Sequence, residues 1–423
     1  MLRKSLRVIG WIAAGLVTLC VVAYLAALAI NWHDQPPNAT AIRLAQMFRD
    51  RPAIADEDNA YAYLRQHKFD RDRRKLSPRL QKFLEACAPE EPTCASAFDA
   101  ADGLLEEWQA AESSLLDYYL AFTAHAGWFE TESSNILDSI PSFAGVGDGQ
   151  KLLLLRARQL AIQGDAQAVR SVLERDLQFW RRVQQSSDIL VSKMIATAAL
   201  NRHFEWGYRV LRKLPAEKIG GAIPDGWRSG VSDAERSMVR CIVGEWMFVS
   251  ELLEDMASNY RAGEDATTFD RVLGRLSRPL MQLQDSKNRT ADHYWAVART
   301  LEAPFTHYEA ALRRADELNE RTTDEAATFR IYNRVGVAGL ANLSSFSTYA
   351  ARVSDIEGTR RAVLLAATLR ASGTAAEHLP TTVASAELRN PYTDRPFDWD
   401  EARGAIVFRG LETGERGEHV IYY

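Results

Sequence analysis

An acid beside an aromatic residue is the first place in this sequence where chemistry could be carried out. Glycosidases use a pair of carboxyl groups that flank the scissile bond. We single out Glu245 beside Trp246, since the ring could stack on a sugar. The alternative is that Trp246 belongs to the core and Glu245 points to water. Among 56 acidic residues no second carboxylate is distinguished, so any catalytic residues stay unknown.

Three alternate glycines, Gly145, Gly147 and Gly149, precede a helix that we expect to begin near Gln150. Backbone N–H groups at such a helix N-terminus could approach an anion. A dinucleotide fold, however, needs a preceding strand and its third glycine one residue later, where Gln150 stands. We therefore interpret the segment as a flexible turn, and we predict no nucleotide and no other cofactor.

Metal ligands are sparse in the sequence. His293 and His307 fall on one predicted helix about 21 Å apart, too far to share an ion. Acidic residues near the C-terminus could offer hard oxygen ligands to calcium, but they lack the spacing and the glycine of an EF-hand. These residues are Asp394, Asp398, Asp400 and Glu401. We predict no metal site.

Several mechanisms are excluded by missing motifs. The chain has no His-Glu or Gly-Lys dipeptide, no Ser or Thr three residues before a Lys, no Gly-x-Ser-x-Gly and no Cys-x-x-Cys. The zincin, Walker A, Ser-x-x-Lys, nucleophile-elbow and dithiol mechanisms each require one of these motifs. A net charge of −5 gives no reason to expect nucleic acid as a partner. Whether the protein is an enzyme stays open, and a non-enzymatic role is favoured.

The cysteines suggest an oxidising compartment. Cys87 and Cys94 flank the turn-rich segment Ala-Pro-Glu-Glu-Pro-Thr, and we predict a disulfide between them, with two free thiols as the alternative. Zinc would need more ligands than the neighbourhood offers. Cys241 lies on an apolar stripe and is expected to be a buried free thiol.

The apolar stretch Val8–Ile30 determines where these groups work. As a helix it spans roughly 34 Å, enough to cross the hydrocarbon core of a bilayer. Arg3, Lys4 and Arg7 precede it and should remain on the cytoplasmic side. We predict an uncleaved anchor. A cleaved signal peptide is the alternative, because Ala27-Leu28-Ala29 has a small-x-small form.

Apolar residues recur mostly at helical spacing, so the predicted fold is mainly α: one transmembrane helix, a multi-helix extracytoplasmic domain built from helical hairpins, and a small C-terminal β-hairpin. Single long helices are predicted over 95–131, 289–321 with a break at Pro304, and 335–370. The expected order is a cytoplasmic stub (1–7), the anchor (8–30), a linker (31–40), a first helical lobe (41–213), a Gly/Pro-rich connection or internal loop (214–232), a second lobe (233–373) and a tail (374–423).

Two segments resemble known families. The helix pair 150–163 and 166–186, joined at Gly164-Asp165, resembles a single tetratricopeptide unit, without a second copy at that period. In the tail, Asn390-Pro391-Tyr392-Thr393 and Pro396-Phe397-x-Trp399 resemble uncharacterised exported or membrane-anchored bacterial proteins, and less closely the tail of type II secretion pseudopilins. The pseudopilin processing motif is missing before the apolar stretch. The resemblance, over residues 349–423, implies no activity.

The functional expectation combines these observations. We predict a single-pass protein of the bacterial inner membrane with its bulk in the periplasm, acting as a scaffold or binding another envelope protein. A glycan hydrolase with paired carboxylates, and a protein that binds a lipid or small apolar ligand between its helices, are the alternatives.

Overall fold

The computed structural model describes residues 2–69, 76–87, 94–130, 140–258, 267–340, 343 and 345–423. The protein is mainly α-helical with a small C-terminal sheet, as predicted. Its contacts divide the chain into two compact units. Unit 1 comprises Met1–Arg51, Glu245–Val297 and Ala315–Ser345, and unit 2 comprises Pro52–Gly244, Ala298–Arg314 and Phe346–Tyr423.

The helices of the first half are α1 (Leu2–Ile30), α2 (Ala39–Arg49), α3 (Ala60–Gln66), α4 (Pro78–Ala86), α5 (Cys94–Asp99), α6 (Leu104–Ala111), α7 (Ser113–Ala124), α8 (Ala144–Ile162), α9 (Ala166–Ser186) and α10 (Leu190–Leu211). Those of the second half are α11 (Ala216–Ala222), α12 (Asp225–Arg228), α13 (Asp233–Arg236), α14 (Val239–Ser258), α15 (Thr268–Ser277), α16 (Leu283–Thr300), α17 (Tyr308–Ala327), α18 (Arg334–Gly339), α19 (Ser347–Ala371) and α20 (Leu379–Ser385). The strands are β1 (Asp398–Asp400), β2 (Ala405–Arg409) and β3 (Glu418–Tyr422).

Two of the predicted long helices are wrong, and the third breaks where expected. The span 95–131 contains α5, α6 and α7, with Gly103 in a left-handed conformation (φ 69°) before α6. Residues 335–370 divide between α18 and α19. Pro304 does separate α16 from α17, because a proline in a helix interior removes a backbone donor and clashes with the preceding turn.

The core of unit 2 is a group of long helices. α10 packs against α8, α9 and α19, and α7 lies on α8. The α8–α9 pair is the predicted hairpin: Asp165 accepts a hydrogen bond from the Ala168 N–H (3.0 Å) and caps α9. α10 is therefore the central helix of this group, and most of its residues are buried.

The C-terminal sheet of unit 2 rests on α19. β2 pairs antiparallel with β1 and with β3, so the predicted hairpin is present and has a third strand. Gly358 of α19 allows the ring of Phe408 to lie against the helix, because a Cβ at that position would come within 2.0 Å of the ring. The packing buries β2, which is too short to be stable alone.

Unit 1 contains α1, whose segment Val8–Ile30 is the one stretch of the described chain long and apolar enough to cross a membrane or serve as a signal anchor. The exit of α1 is fixed by Asn31, which is only 5 % exposed. Its side chain donates to the Ile331 carbonyl (3.1 Å) and accepts from the Asn333 N–H (2.7 Å), and its own carbonyl accepts from Gln282 Nε2 (2.7 Å).

The predicted linker 31–40 is held along α16. The Asp34 carboxylate accepts from the N–H groups of Gln284 (2.6 Å) and Asp285 (3.0 Å), which are free donors at the start of α16. Further along, the Asn38 N–H donates to Asn288 (2.9 Å), and Asn38 also caps α2. The segment is therefore an ordered strap.

The two units do not follow the predicted lobes. Residues 214–232 lie wholly inside unit 2, where they form α11 and α12, which supports the internal-loop alternative for this segment. Trp227 of α12 is fully buried, so the Gly/Pro-rich composition reflects tight turns between short helices.

Candidate functional site: a cleft between helices of unit 2

A cleft of about 690 Å³ opens between four parts of unit 2: α4 with Leu76 just before it, the start of α8 with Phe143, α9 and α10. That volume falls within the usual range for small-molecule sites. Among the described residues, the lining consists of Leu76, Gln81, Leu84, Glu85, Phe143, Ala144, Val146, Gly147, Asp148, Gln150, Lys151, Trp180, Ile195, Ala198, Ala199 and Arg202.

Most of this wall is apolar. Leu84 of α4 and Ile195 of α10 are half-buried, and Phe143 lies directly before the first residue of α8. Trp180 forms part of the floor, with its indole N–H turned away to the Tyr119 hydroxyl (2.8 Å). The floor can thus contact an apolar ligand while its polar atom is already satisfied.

The glycine segment is helical, so our interpretation of it as a flexible turn was wrong. α8 begins at Ala144, and Gly145, Gly147 and Gly149 lie in its first turns. A Cβ on Gly145 would come within 2.8 Å of Phe69, and one on Gly149 within 2.6 Å of Tyr119. These two glycines are required for close packing, whereas Gly147 lines the cleft.

Arg202 supplies the principal polar group of the cleft. Within the described chain its guanidinium donates one hydrogen bond to protein, from Nη1 to Gln150 Oε1 (2.7 Å). Although the residue keeps partial solvent access, the surrounding protein desolvates the guanidinium and lowers its pKa below the ordinary value. Asp148, Asp176 and Glu205 act in the opposite direction through their negative charge.

A second cation, Lys151, also borders the cleft. Its ammonium donates to Asp148 Oδ1 (3.1 Å), and both side chains are about nine-tenths buried. Since the pair is neutral overall, Lys151 adds a positive pole without a net charge.

A buried network holds the polar end in place. The Asp176 carboxylate accepts from the Tyr119 hydroxyl (2.6 Å), from Gln150 Nε2 (3.1 Å) and from His203 Nδ1 (2.8 Å). Burial, and then Asp176, raise the pKa of Tyr119 well above its ordinary value, so its hydroxyl remains a donor. Because Gln150 is fixed through its amide nitrogen, its oxygen points at Arg202.

The hydrogen bonds of His203 in this network assign its tautomer. The indole N–H of Trp227 donates to His203 Nε2 (2.9 Å), and tryptophan can only donate. Nε2 is therefore unprotonated, and the single ring proton sits on Nδ1, facing Asp176. Both ring nitrogens are occupied and the ring is fully buried, so His203 acts as a positioning residue for Asp176.

The acid–aromatic pair singled out from sequence lies in unit 1 and does not form a sugar site. Trp246 is buried, and its indole N–H donates to the Lys287 carbonyl (3.2 Å). Glu245 is half-buried close to Tyr294, whose pKa rises through burial and then through that carboxylate. Trp246 thus belongs to the core, as the alternative interpretation held.

The metal-ligand and cysteine candidates from the sequence are also placed by the structure. In the described ranges no three of the His, Cys, Asp and Glu side chains are grouped to hold a metal, and Asp400 is engaged by Arg403 Nε (2.5 Å). Cys87 and Cys94 form the predicted disulfide between the end of α4 and the start of α5; the turn-rich residues 88–93 lie outside the described residues. Cys241 is the expected buried free thiol.

Sequence reasoning missed the cleft. Its lining residues are drawn from four separate segments, and none of these segments carries a motif that by itself marks a binding site. One available signal was Arg202, a cation that follows the apolar residues Ile195 and Ala198 on one face of α10. No protein-family model, no curated protein and no solved structure matches the chain.

Proposed function

We propose that this chain is a membrane-anchored, extracytoplasmic binding protein whose cleft takes a small amphiphile: an apolar chain or ring system with a single acceptor group such as a carboxylate. The observation that carries the proposal is the mostly apolar cleft of about 690 Å³ with the Arg202 guanidinium at one end. Apolar lining with a few convergent polar groups is typical of ligand sites.

The polar end favours one particular head group. A carboxylate would accept the remaining N–H groups of Arg202 in a charge-assisted, bidentate arrangement. The nearby charges of Asp148, Asp176 and Glu205 make the region unfavourable for a dianion such as a phosphate monoester. We therefore expect long-chain carboxylates to bind more tightly than alkyl phosphates or alcohols of equal chain length.

The N-terminal segment supports the location. Val8–Ile30 has the length and hydropathy of a membrane span, and Arg3, Lys4 and Arg7 favour a cytoplasmic N-terminus. The Cys87–Cys94 disulfide suits an oxidising compartment, such as the periplasm. A scaffold or partner-binding role in the bacterial envelope, our first expectation, stays a prediction.

Photocrosslinking in nanodiscs tests the binding. The full chain is exposed to a diazirine-bearing long-chain carboxylate, and the labelled peptides are identified by mass spectrometry. We expect adducts on α4, α8 and α10 around the cleft. Ile195→Trp fills the cleft and should abolish this labelling, whereas Ile162→Trp, at an exposed site on α8, should leave it unchanged.

The head group is tested in the same assay. Arg202→Met should weaken carboxylate binding about tenfold or more, since hydrogen bonds to a charged group contribute roughly 1.5–3 kcal/mol. Binding of the matching alcohol probe should change little. Arg156→Met, at an exposed position of α8, is the matched control. Labelling spread evenly over the chain, or unaffected by Ile195→Trp, would refute the proposal.

A further inference from the structure

The apolar side of α15 in unit 1 is turned to solvent. Phe269, Val272, Leu273 and Leu276 recur at spacings of three and four, and between 47 % and 72 % of each side chain is exposed. Gly274, on the opposite side of the helix, is buried. A soluble domain would place such a stripe inward, so α15 is inverted with respect to water.

A second helix of unit 1 repeats this inversion. In the α14 segment that belongs to unit 1, Phe248, Leu252 and Met256 follow one another at intervals of four and are all exposed. Large contiguous apolar patches are rare on soluble monomers and mark a surface that is covered by something.

The position of α15 along α1 identifies what covers it. The Tyr24 hydroxyl of α1 donates to the Leu276 carbonyl of α15 (3.0 Å), and α1 also adjoins the turn Arg278–Leu280. Tyr24 lies six residues before the end of the apolar stretch, or about 9 Å inside its outer end. Amphipathic helices lie about 5–10 Å deep in the boundary between head groups and acyl chains. The depth of Tyr24 in the span therefore matches the depth at which an interfacial amphipathic helix lies.

Side chains around the exit of α1 suit the same boundary. Trp32 lies two residues after the span, and Phe329 lies two residues before Ile331, whose carbonyl accepts a hydrogen bond from Asn31. Both rings are more than three-quarters exposed, and aromatic rings are favoured at membrane interfaces. Arg271 and Arg275 of α15 are exposed and can extend towards lipid phosphates.

We propose that α15 is embedded in the outer leaflet of the bilayer that α1 crosses, with its apolar stripe among the acyl chains. The inference rests on the proposed anchor and is independent of ligand binding in the cleft. A partner helix or a second copy of the chain is the competing occupant. Lipid is favoured because the contact with Tyr24 lies within the apolar span, where lipid is the surrounding solvent.

Depth-dependent quenching tests the proposal. The full chain, with Cys20→Ser and Cys241→Ala, is reconstituted in vesicles of phosphatidylethanolamine and phosphatidylglycerol. One further cysteine carries a nitrobenzoxadiazole label: Leu273→Cys on the stripe or Arg271→Cys on the far side of α15. Doxyl groups on the acyl chains quench from within the membrane, and iodide quenches from water.

We expect the label at Leu273→Cys to lose most of its emission to doxyl lipids and little to iodide, and the label at Arg271→Cys to show the reverse. A label at Val17→Cys, in the middle of α1, reports the anchor. If doxyl lipids quench the label at Val17→Cys but not the label at Leu273→Cys, the anchor is retained and the inference is overturned. This holds both if iodide quenches the label on the stripe and if another protein shields it from iodide. Loss of doxyl quenching at both positions overturns the anchor and the inference together.

Discussion

Asp355 is a buried carboxylate that joins the C-terminal segment to α19. It accepts from the Tyr392 hydroxyl (2.7 Å) and from the N–H groups of Leu411 (2.9 Å) and Glu412 (3.3 Å). Burial raises its pKa from 3.8 to about 6, because desolvation outweighs these donors. The folded state therefore holds a proton that the unfolded chain releases at lower pH.

This shift predicts a pH-dependent stability. A carboxyl group whose pKa is higher in the folded than in the unfolded state stabilises the fold at pH values below about 4. This contribution is lost as the pH rises to about 6. A difference of two pKa units corresponds to about 3 kcal/mol of unfolding free energy. Asp355→Asn cannot titrate, so its free energy of unfolding in urea should fall less than that of the wild type across this range. Asp398→Asn, at an exposed site, should follow the wild type. Parallel curves for wild type and Asp355→Asn would contradict the assignment.

At the scale of elements, the Cys87–Cys94 disulfide fastens the end of α4 to the start of α5. α4 contributes Gln81, Leu84 and Glu85 to the cleft, so the bond restrains one wall of the site. Closing a loop this short contributes about 2–3 kcal/mol in the chain-entropy description.

Removing the disulfide should therefore affect both stability and binding. Cys87→Ser with Cys94→Ser should lower the free energy of unfolding by about 2–3 kcal/mol and reduce photolabelling of α4. Cys20→Ser, in α1, is the control. Thiol titration of the denatured wild type should count the two free cysteines, Cys20 and Cys241, without reductant and all 4 cysteines with it. Four reactive thiols in the unreduced protein would rule the bond out.

For the whole molecule, the proposed anchor would determine the compartment in which the rest of the chain lies. Alkaline phosphatase is active only after export, so a fusion after Thr40 should be active if α1 crosses the membrane with its N-terminus inside. Replacing Arg3, Lys4 and Arg7 with glutamine should reduce that activity by weakening the orientation. An inactive Thr40 fusion in a stable, full-length product would overturn the topology.

Local patterns predicted much of this fold, since they concern neighbours in sequence. The hydropathy of Val8–Ile30 predicts a helix, the turn at Gly164-Asp165 predicts a helical hairpin, and the β-prone residues 405–409 predict a strand. The disulfide followed from two cysteines near a turn. The break between α6 and α7 was missed because the apolar spacing continues across Glu112, while the backbone there leaves the helical region.

The candidate site was not predictable in the same way. Gly145 and Gly149 were mistaken for a turn because the reason for their small size lies in Phe69 and Tyr119, on other elements. The role of Arg202 depends on Gln150, which is 52 positions away in sequence. Likewise, the polar residues of 31–40 indicated a linker, since the α16 donors that bind them are distant in the chain.

The hydrogen bonds of Asn31 limit how far the rest of unit 1 can move away from α1. A flexible linker of ten residues would let the domain it carries move by nearly 20 Å from the end of α1. Here, Asn31, Asp34 and Asn38 instead bind the linker to the rest of unit 1. If α1 crosses the membrane, as we propose, unit 1 moves with it by lateral diffusion in the bilayer and does not swing above the membrane on a flexible linker.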